Sequence, residues 1–329
     1  MIHRRRFVAG VLGVLSTSTL ASAQSRQRIP RVGVLWHAGN EQEERVPLGA
    51  FRQGLRELGY VEGQTIALEN RYPNEQPERF VSLAAEIVDL RPDVIVAVTR
   101  AAALAVQRAT NTIPVVFIVV PDPVGDRLVD SLARPGGHIT GITNMALELM
   151  PKRIELLKEA LPRISRMALL VNASHPEAVR RYVAMSEPAA ARLGIALQSI
   201  EVRNADDFER AFTRMKDTGI QGLALTVDGL FYAEQQRLIR LALDRRLPMI
   251  MYSREMAEGG AFMAYGPNIP AIFRRGAVFV DKILKGTKPA EIPVEQPPVI
   301  ELLVNETTAR TIGVSVAPSV LTRANDVLK

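Results

Sequence analysis

The chain has 329 residues, no cysteine and a formal net charge of +6 at pH 7. This length favours two lobes over one small core, and the lack of cysteine excludes a disulfide scaffold, thiol catalysis and thiolate metal sites. Lysine and arginine are mixed with acidic residues along the sequence, so the positive charge does not indicate a nucleic-acid partner.

The first 23 residues have the pattern of a secretory signal peptide. Three arginines, Arg4 to Arg6, precede a mostly apolar run that ends at Leu20, and the small residues Ala21-Ser22-Ala23 follow. This pattern predicts cleavage near Ala23 and a periplasmic protein, exported by the Sec or the twin-arginine route. An uncleaved membrane anchor is the alternative, but the run is short for a bilayer span, which takes roughly 20 apolar residues.

The first half of the remaining chain alternates short apolar segments with amphipathic ones. Near-continuous apolar strands separated by helices predict a parallel sheet that is covered on both faces. Strands are predicted at residues 32–36, 65–70, 93–98 and 115–120, and helices at 44–58, 78–90 and 101–109.

The same alternation restarts after a glycine-rich stretch at residues 135–141. Two successive blocks of similar length predict an α/β fold with two doubly wound, Rossmann-like lobes. The second block has predicted strands at 167–171, 195–202, 222–227 and 248–251, and predicted helices at 148–161, 176–193, 205–218 and 232–245. The tail adds a predicted helix at 271–284, a strand at 299–304 and a short helix near 321–328.

Several proline and glycine blocks carry a resemblance to a known family. They are Val120-Pro-Asp-Pro-Val-Gly125, Leu132-Ala-Arg-Pro-Gly-Gly137, Ala264-Tyr-Gly-Pro-Asn268 and the tail segments Lys285-Gly-Thr-Lys-Pro289 and Ile292-Pro-Val-Glu-Gln-Pro297. In this order they resemble ABC-transporter substrate-binding proteins with the type I periplasmic binding protein fold. The resemblance is to the family whose characterised members bind tryptophan and related amino acids, and it spans essentially the whole chain after the leader.

The resemblance implies a clam-shell with three hinge crossings. It implies an N-terminal lobe of residues 31–143 plus 261–286 and a C-terminal lobe of residues 144–260 plus 287–329. A small-molecule solute would lie between the lobes, whose closure presents a shape that the membrane permease of an ABC importer recognises. The resemblance further implies a monomer without cofactor.

Candidate ligand residues are sought at the carboxyl ends of the strands, because open α/β sheets bind ligands there. In the N-terminal lobe, Trp36 could stack on a flat solute or plug the lobe surface. Thr99 could cap a helix or donate to a carboxylate, and Arg100 could pair with an anion or point to solvent. Asp122 could accept from an amine or brace a turn between two prolines.

The C-terminal lobe adds four candidates. Asn172 ends one strand, and Asp228 ends another and is the better candidate for an ammonium partner. Tyr252 follows the next strand, and Tyr265 lies at a hinge crossing beside Gly266. Anion donors, carboxylates and aromatic walls together favour an amino-acid-like zwitterion.

The sequence contains no recognisable motif for catalysis or metal binding. His37, His138 and His175 have no metal-like spacing, and neither His-Glu-x-x-His nor a nucleophile elbow or phosphate loop occurs in the sequence. The carboxylate pairs Glu43-Glu44 and Asp206-Asp207 lie at predicted helix starts, where the helix dipole stabilises them. The sequence therefore predicts neither an enzyme nor a metal site.

The favoured interpretation is an extracytoplasmic solute-binding protein that captures an amino-acid-like or aromatic solute and delivers it to an ABC importer. The alternative is a ligand-sensing periplasmic receptor for a membrane signalling partner. An exported α/β enzyme would need a catalytic constellation. A transcription-repressor core shares the fold, but a leader stands where a DNA-binding domain would lie.

Overall fold

A computed structural model describes residues 28–329. The predicted signal peptide and its cleavage site lie outside the described residues. Within those residues, no helix is both long enough and apolar enough to cross a bilayer.

The first lobe is built on a five-stranded parallel sheet in the order β2-β1-β3-β4-β5. Every residue of β3 is buried, because helices α1 and α10 cover one face of the sheet and α2 and α3 cover the other. The strands are β1 (Arg31–Leu35), β2 (Ala67–Arg71), β3 (Val94–Val98), β4 (Val115–Val120) and β5 (Ile139–Thr143), and the helices are α1 (Arg45–Glu57), α2 (Pro77–Asp89), α3 (Thr99–Ala109) and, from later in the chain, α10 (Ile269–Leu284).

The second lobe is built on a seven-stranded sheet in the order β12-β11-β10-β9-β8-β6-β7, in which only β10 and β11 pair antiparallel. Its strands are β6 (Arg166–Asn172), β7 (Ala196–Val202), β8 (Gly222–Leu225), β9 (Met249–Met251), β10 (Met263–Pro267), β11 (Ile300–Asn305) and β12 (Asp326–Leu328). Its helices are α4 (Ala146–Ala160), α5 (Pro176–Arg192), α6 (Phe208–Asp217), α7 (Gly229–Ala233), α8 (Gln235–Asp244), α9 (Arg254–Glu258), α11 (Glu306–Ile312) and α12 (Pro318–Arg323). One 3-10 turn of this lobe lies at Ala205–Asp207, and another, at Pro289–Glu291, lies beside β5 of the first lobe. The predicted α/β class with two doubly wound lobes is confirmed.

The chain crosses between the lobes three times, but two predicted boundaries need correction. The predicted N-terminal lobe includes residues 263–267, whereas they form β10 of the second sheet, where Met263 pairs with Ile250. The segment after residue 286 was assigned to the C-terminal lobe. Its first part instead packs on the first lobe, because Ile292 and Val294 are buried in that core and Thr143 N donates to Glu295 O at 3.0 Å.

The predicted final helix near residues 321–328 is wrong. Helix α12 ends at Arg323, and the last residues form strand β12 beside β11. Two side chains hold this strand: Asn325 Oδ1 accepts from Leu302 N at 2.8 Å, and Asp326 pairs with Arg254 at 2.9 Å. Contacts with residues distant in the sequence therefore determine the secondary structure of the last residues.

Candidate ligand-binding cleft

A cavity of about 200 Å³ lies between the two lobes, which is room for one small organic molecule. Residues that follow the strands of both sheets line it, since the carboxyl ends of the strands face each other across the gap. The lobes touch at two places in the lining of this cleft. His37 meets the ring of Tyr232 edge-on at 5.6 Å, and Arg181 reaches Asp122 at 2.6 Å. The described conformation is therefore closed.

Phe273 is an aromatic side chain in the wall of the first lobe. Behind it lies Trp36, stacked at 5.6 Å, and behind Trp36 lies Tyr72, stacked at 6.4 Å. Trp36 is fully buried, and its Nε1 donates to Asn70 Oδ1 at 2.8 Å. The predicted stacking of Trp36 on a solute is thus corrected, because Phe273 covers it and it fills the lobe.

The backbone is strained where β3 and β4 end in the cleft. Thr99 has φ = +77° and Val119 has φ = +58°, and both line the cavity. A β-branched residue in this region is an outlier that costs about 1–3 kcal/mol, and such strain persists mainly at functional sites. The surrounding fold therefore imposes the shape of this wall.

The first turn of α3 faces the cleft through Thr99, Arg100 and Ala101. One of the two predicted roles of Thr99 is to cap this helix, but the capping position is Val98 and no described side chain caps it. Free main-chain N–H groups at a helix start attract anions. This turn can therefore receive a carboxylate.

Arg100 and Asp122 belong to a charge cluster that joins the lobes. Asp126 accepts from Arg100 Nε at 2.8 Å and from Arg181 Nη2 at 2.8 Å, and its side chain is only 1 % exposed. Asp122 accepts from Arg181 Nη1 at 2.6 Å and from Gly125 N at 2.8 Å. Both residues line the cleft as predicted, but their charges are already paired within the protein.

His37 forms a second polar cluster with two carboxylates that line the cleft. Its Nδ1 lies 2.8 Å from Glu75 Oε1, and its Nε2 lies 3.3 Å from Glu44 Oε1. Burial alone would lower the pKa of His37, but the hydrogen bond to Glu75 and the charge of Glu44 outweigh it, so the pKa is raised. Burial also raises the pKa of Glu44, against the opposing effect of His37.

Asp228 lines the second lobe's side of the cleft, directly before α7. Its Oδ1 accepts from Leu230 N at 2.9 Å and from Asn172 Nδ2 at 2.9 Å, while Oδ2 lies 3.9 Å from His175. Burial raises the pKa of Asp228, with these contacts opposing the shift. A carboxylate whose negative charge is disfavoured by burial gains from an ammonium group beside it.

The structure places the three remaining predicted ligand residues, Asn172, Tyr252 and Tyr265, in different surroundings. Tyr252 lines the cleft, and its hydroxyl donates to Asp228 O at 3.3 Å. Asn172 does not line it but orients Asp228 from behind. Tyr265 packs in the core of the second lobe, and its carbonyl accepts from Arg153 Nε at 2.7 Å. Asn172 and Tyr265, which are predicted as ligand residues, therefore lie outside the lining of the cleft.

Sequence reasoning missed several lining residues. His37 follows the first strand, so the rule of strand ends could have found it. Glu44 was explained by the dipole of its helix, whereas it is 2 % exposed and faces the cavity. Arg181 lies within α5, and Phe273 within α10, where neither has a local signal.

Two lobes with a closed cleft between them define a class of protein that binds a small solute. The sequence profile of the family described as ABC transporter substrate binding protein matches residues 45–328. The chain belongs to this family, so the resemblance stated above is confirmed. Members of this family are substrate-binding proteins and not enzymes.

Relatives and solved structures agree with this family. The chain is similar to a tyrosine-binding protein of Clostridioides difficile, with 23 % identity over 80 % of this chain and 75 % of the relative. A conserved domain protein of Vibrio cholerae superposes with a TM-score of 0.84 at 26 % identity, covering 91 % of this chain and 100 % of the other. An ABC domain of Streptococcus pneumoniae in complex with L-Trp superposes with a TM-score of 0.81 at 22 % identity, covering 91 % and 99 %.

Proposed function

We propose that the protein is a periplasmic solute-binding protein that captures one amino-acid-like solute in the cleft and delivers it to an ABC importer. The observation that carries this proposal is the charge of the cleft. Arg100 and Arg181 are neutralised by Asp122 and Asp126, whereas Glu44, Glu75 and Asp228 face the cavity and only the imidazole of His37 contacts two of them. The excess of carboxylates favours a solute that carries an ammonium group.

Three surfaces would divide the recognition of such a solute. Asp228 would pair with the ammonium group, and the rings of Phe273 and Tyr232 would cover the apolar body. The uncapped start of α3 offers N–H groups to a negative group on the same molecule. The names of the similar proteins, which bind tyrosine or hold L-Trp, support an aromatic amino acid as the first solute to test.

The experiment is a thermal melt of the purified protein against amino acids, aromatic acids, aromatic amines and nucleosides. A solute at 100 times its dissociation constant adds about 2.7 kcal/mol to the free energy of unfolding, which raises the melting temperature clearly. We expect amino acids to raise it and to be recovered unchanged. A shift by nucleosides alone, or conversion of the solute, would contradict the proposal.

Delivery and location need their own tests. We expect deletion of the gene to abolish uptake of the solute identified in the melt, and we expect the processed chain to be found in the periplasmic fraction. Retention of the full-length chain in the cytoplasm would contradict export through the predicted leader. Unchanged uptake with a changed transcriptional response would favour the sensing receptor instead.

A further inference from the structure

Arg153 is a buried cation that forms no ion pair within the described part of the chain. It lies on α4 and is 0 % exposed. Its Nε donates to the carbonyl of Tyr265 at 2.7 Å, but Nη1 and Nη2 have no hydrogen-bond partner among the described residues. A buried charge without a partner is costly, so its presence calls for an explanation other than packing.

The guanidinium lies directly behind the cleft wall of the second lobe. Its Cζ is 5.9 Å from the centre of the Tyr252 ring, and Tyr252 lines the cavity. A further wall residue, Ser253, also has a buried hydroxyl without a hydrogen-bond partner in residues 28–329. Unsatisfied polar groups therefore cluster at this wall.

Other charges do not cancel that of Arg153. Burial lowers the pKa of Arg153 to about 10, which still leaves it protonated at neutral pH. The titratable groups that face it are the phenols of Tyr182, Tyr252 and Tyr265. The carboxylate of Asp228 lies near the same phenols of Tyr182 and Tyr252, but it accepts from Asn172 and Leu230 and forms no ion pair with Arg153. Burial raises the pKa of Tyr182 and of Tyr252, so these phenols remain neutral. Glu148, on the same helix, is exposed.

We infer that Arg153 is a positioning residue that selects a solute with a negatively charged group, acting through the Tyr182–Tyr252–Ser253 wall. The inference rests on the proposed function and deepens it, since it requires a carboxylate in addition to the ammonium group. Arg153 lies behind the wall of the second lobe, and the N–H groups of α3 lie in the wall of the first lobe. Both attract a negatively charged group on the solute. A carboxylate entering the cleft supplies the counter-charge that the solute-free protein lacks.

The test compares L-tryptophan with L-tryptophanamide and L-tyrosine with L-tyrosinamide, which have the same shape but differ in the negative charge. Dissociation constants are measured for the wild type, Arg153→Met and Arg153→Lys. We expect the preference for the acid over the amide to fall about tenfold in Arg153→Met. The reason is that removing one nearby positive charge weakens binding of the acid and not that of the amide. Arg153→Lys retains the charge and should retain the preference.

Lys152→Met is the matched control, because Lys152 precedes Arg153 on α4 and pairs with Glu155 outside the cleft. It removes the same net charge and should leave the preference unchanged. Arg153→Gln is a second neutral variant that can still donate to the Tyr265 carbonyl if Arg153→Met does not fold. Equal weakening of acid and amide in the neutral variants, or no change in their ratio, would overturn the inference. If the wild type binds none of the four compounds, the proposed function fails for this solute class before Arg153 is tested.

Discussion

At the scale of single residues, the cleft separates charges that the protein satisfies itself from charges that it leaves for a solute. Arg181 is paired with Asp122 and Asp126, whereas Asp228 is bound only by neutral donors within 3 Å. The difference gives Asp228 the greatest capacity to discriminate between solutes with and without an amine.

Replacing Asp228 by Asn tests this role. Asn can still cap α7 through its side-chain oxygen, so the variant removes the charge and keeps the local fold. We expect affinity for an amino acid to fall at least about 30-fold, which corresponds to the loss of a buried charge pair worth about 2 kcal/mol. Calorimetric titration measures it. Asp217→Asn, at the exposed end of α6, is the control and should bind normally.

The titration of His37 is a second prediction at this scale. Glu75 and Glu44 raise its pKa above 6.5, while burial lowers the pKa of His138 below that value. The folded-state pKa of His37 exceeds the unfolded one, so its stabilisation is fully present below about pH 6.5 and is lost as the pH rises through the folded pKa. NMR titration of the imidazole protons should therefore give a higher pKa for His37 than for His138. Glu75→Gln should lower the pKa of His37 and leave His138 unchanged, and an unchanged His37 would refute the assignment.

At the scale of elements, close backbone approach shapes the wall of the second lobe. Gly266 of β10 lies against the carbonyl of Tyr252 at the end of β9, and a Cβ at this position would be 1.9 Å from that oxygen. The carbonyl belongs to the backbone and cannot rotate away, so a side chain at 266 would push the two strands apart. The blocks of glycine and proline that carry the family resemblance thus include a packing requirement.

Gly266→Ala should therefore destabilise the protein by about 1–3 kcal/mol and weaken solute binding through Tyr252. Gly137→Ala is the control, because nothing lies within 4 Å of a Cβ there. Unfolding by a chemical denaturant measures the free energy of unfolding of each variant. Equal stability of the two variants would show that the strands have room to separate.

Sequence patterns predict the elements well where burial is continuous and poorly where partners are distant. The strand predicted at 93–98 corresponds closely to β3, because five consecutive buried apolar residues leave few alternatives. The helix predicted at the end of the chain is in part the strand β12, whose pairing with β11 depends on residues 23 positions away. A local pattern carries no information about such a contact.

The same limit applies to the site. Asp228, Tyr252, Thr99, Arg100 and Asp122 were found from their places at strand ends, and all five line the cleft. Trp36 has the same kind of position but is covered by Phe273 from a helix more than 230 residues later. Arg153 and Arg181 lie inside helices, where their function depends on which other elements pack beside them.

At the scale of the whole molecule, side-chain contacts join the two lobes in the closed conformation. Arg181 of α5 joins two carboxylates of the first lobe, and its partner Asp126 also holds Arg100 at the start of α3. The start of α3, which we propose as the site for the negative group of the solute, is thus linked to the contact between the lobes through one ion-pair cluster.

Replacing Arg181 by Met should shift the lobes toward an open arrangement. We expect about tenfold weaker solute binding and a larger radius of gyration in solution scattering at a subsaturating solute concentration. Arg180→Met is the matched control, since Arg180 is exposed and pairs with Glu177 of its own helix. If both variants have the radius of gyration and the solute affinity of the wild type, the contact of Arg181 does not hold the lobes closed.

The most direct test of the account is a crystal structure of the protein with the solute that raises its melting temperature most. The account predicts one solute molecule between the lobes, with its ammonium group within hydrogen-bonding distance of Asp228 and its apolar part against Phe273. A solute bound outside the cleft, or one bound with no cationic group near Asp228, would contradict it.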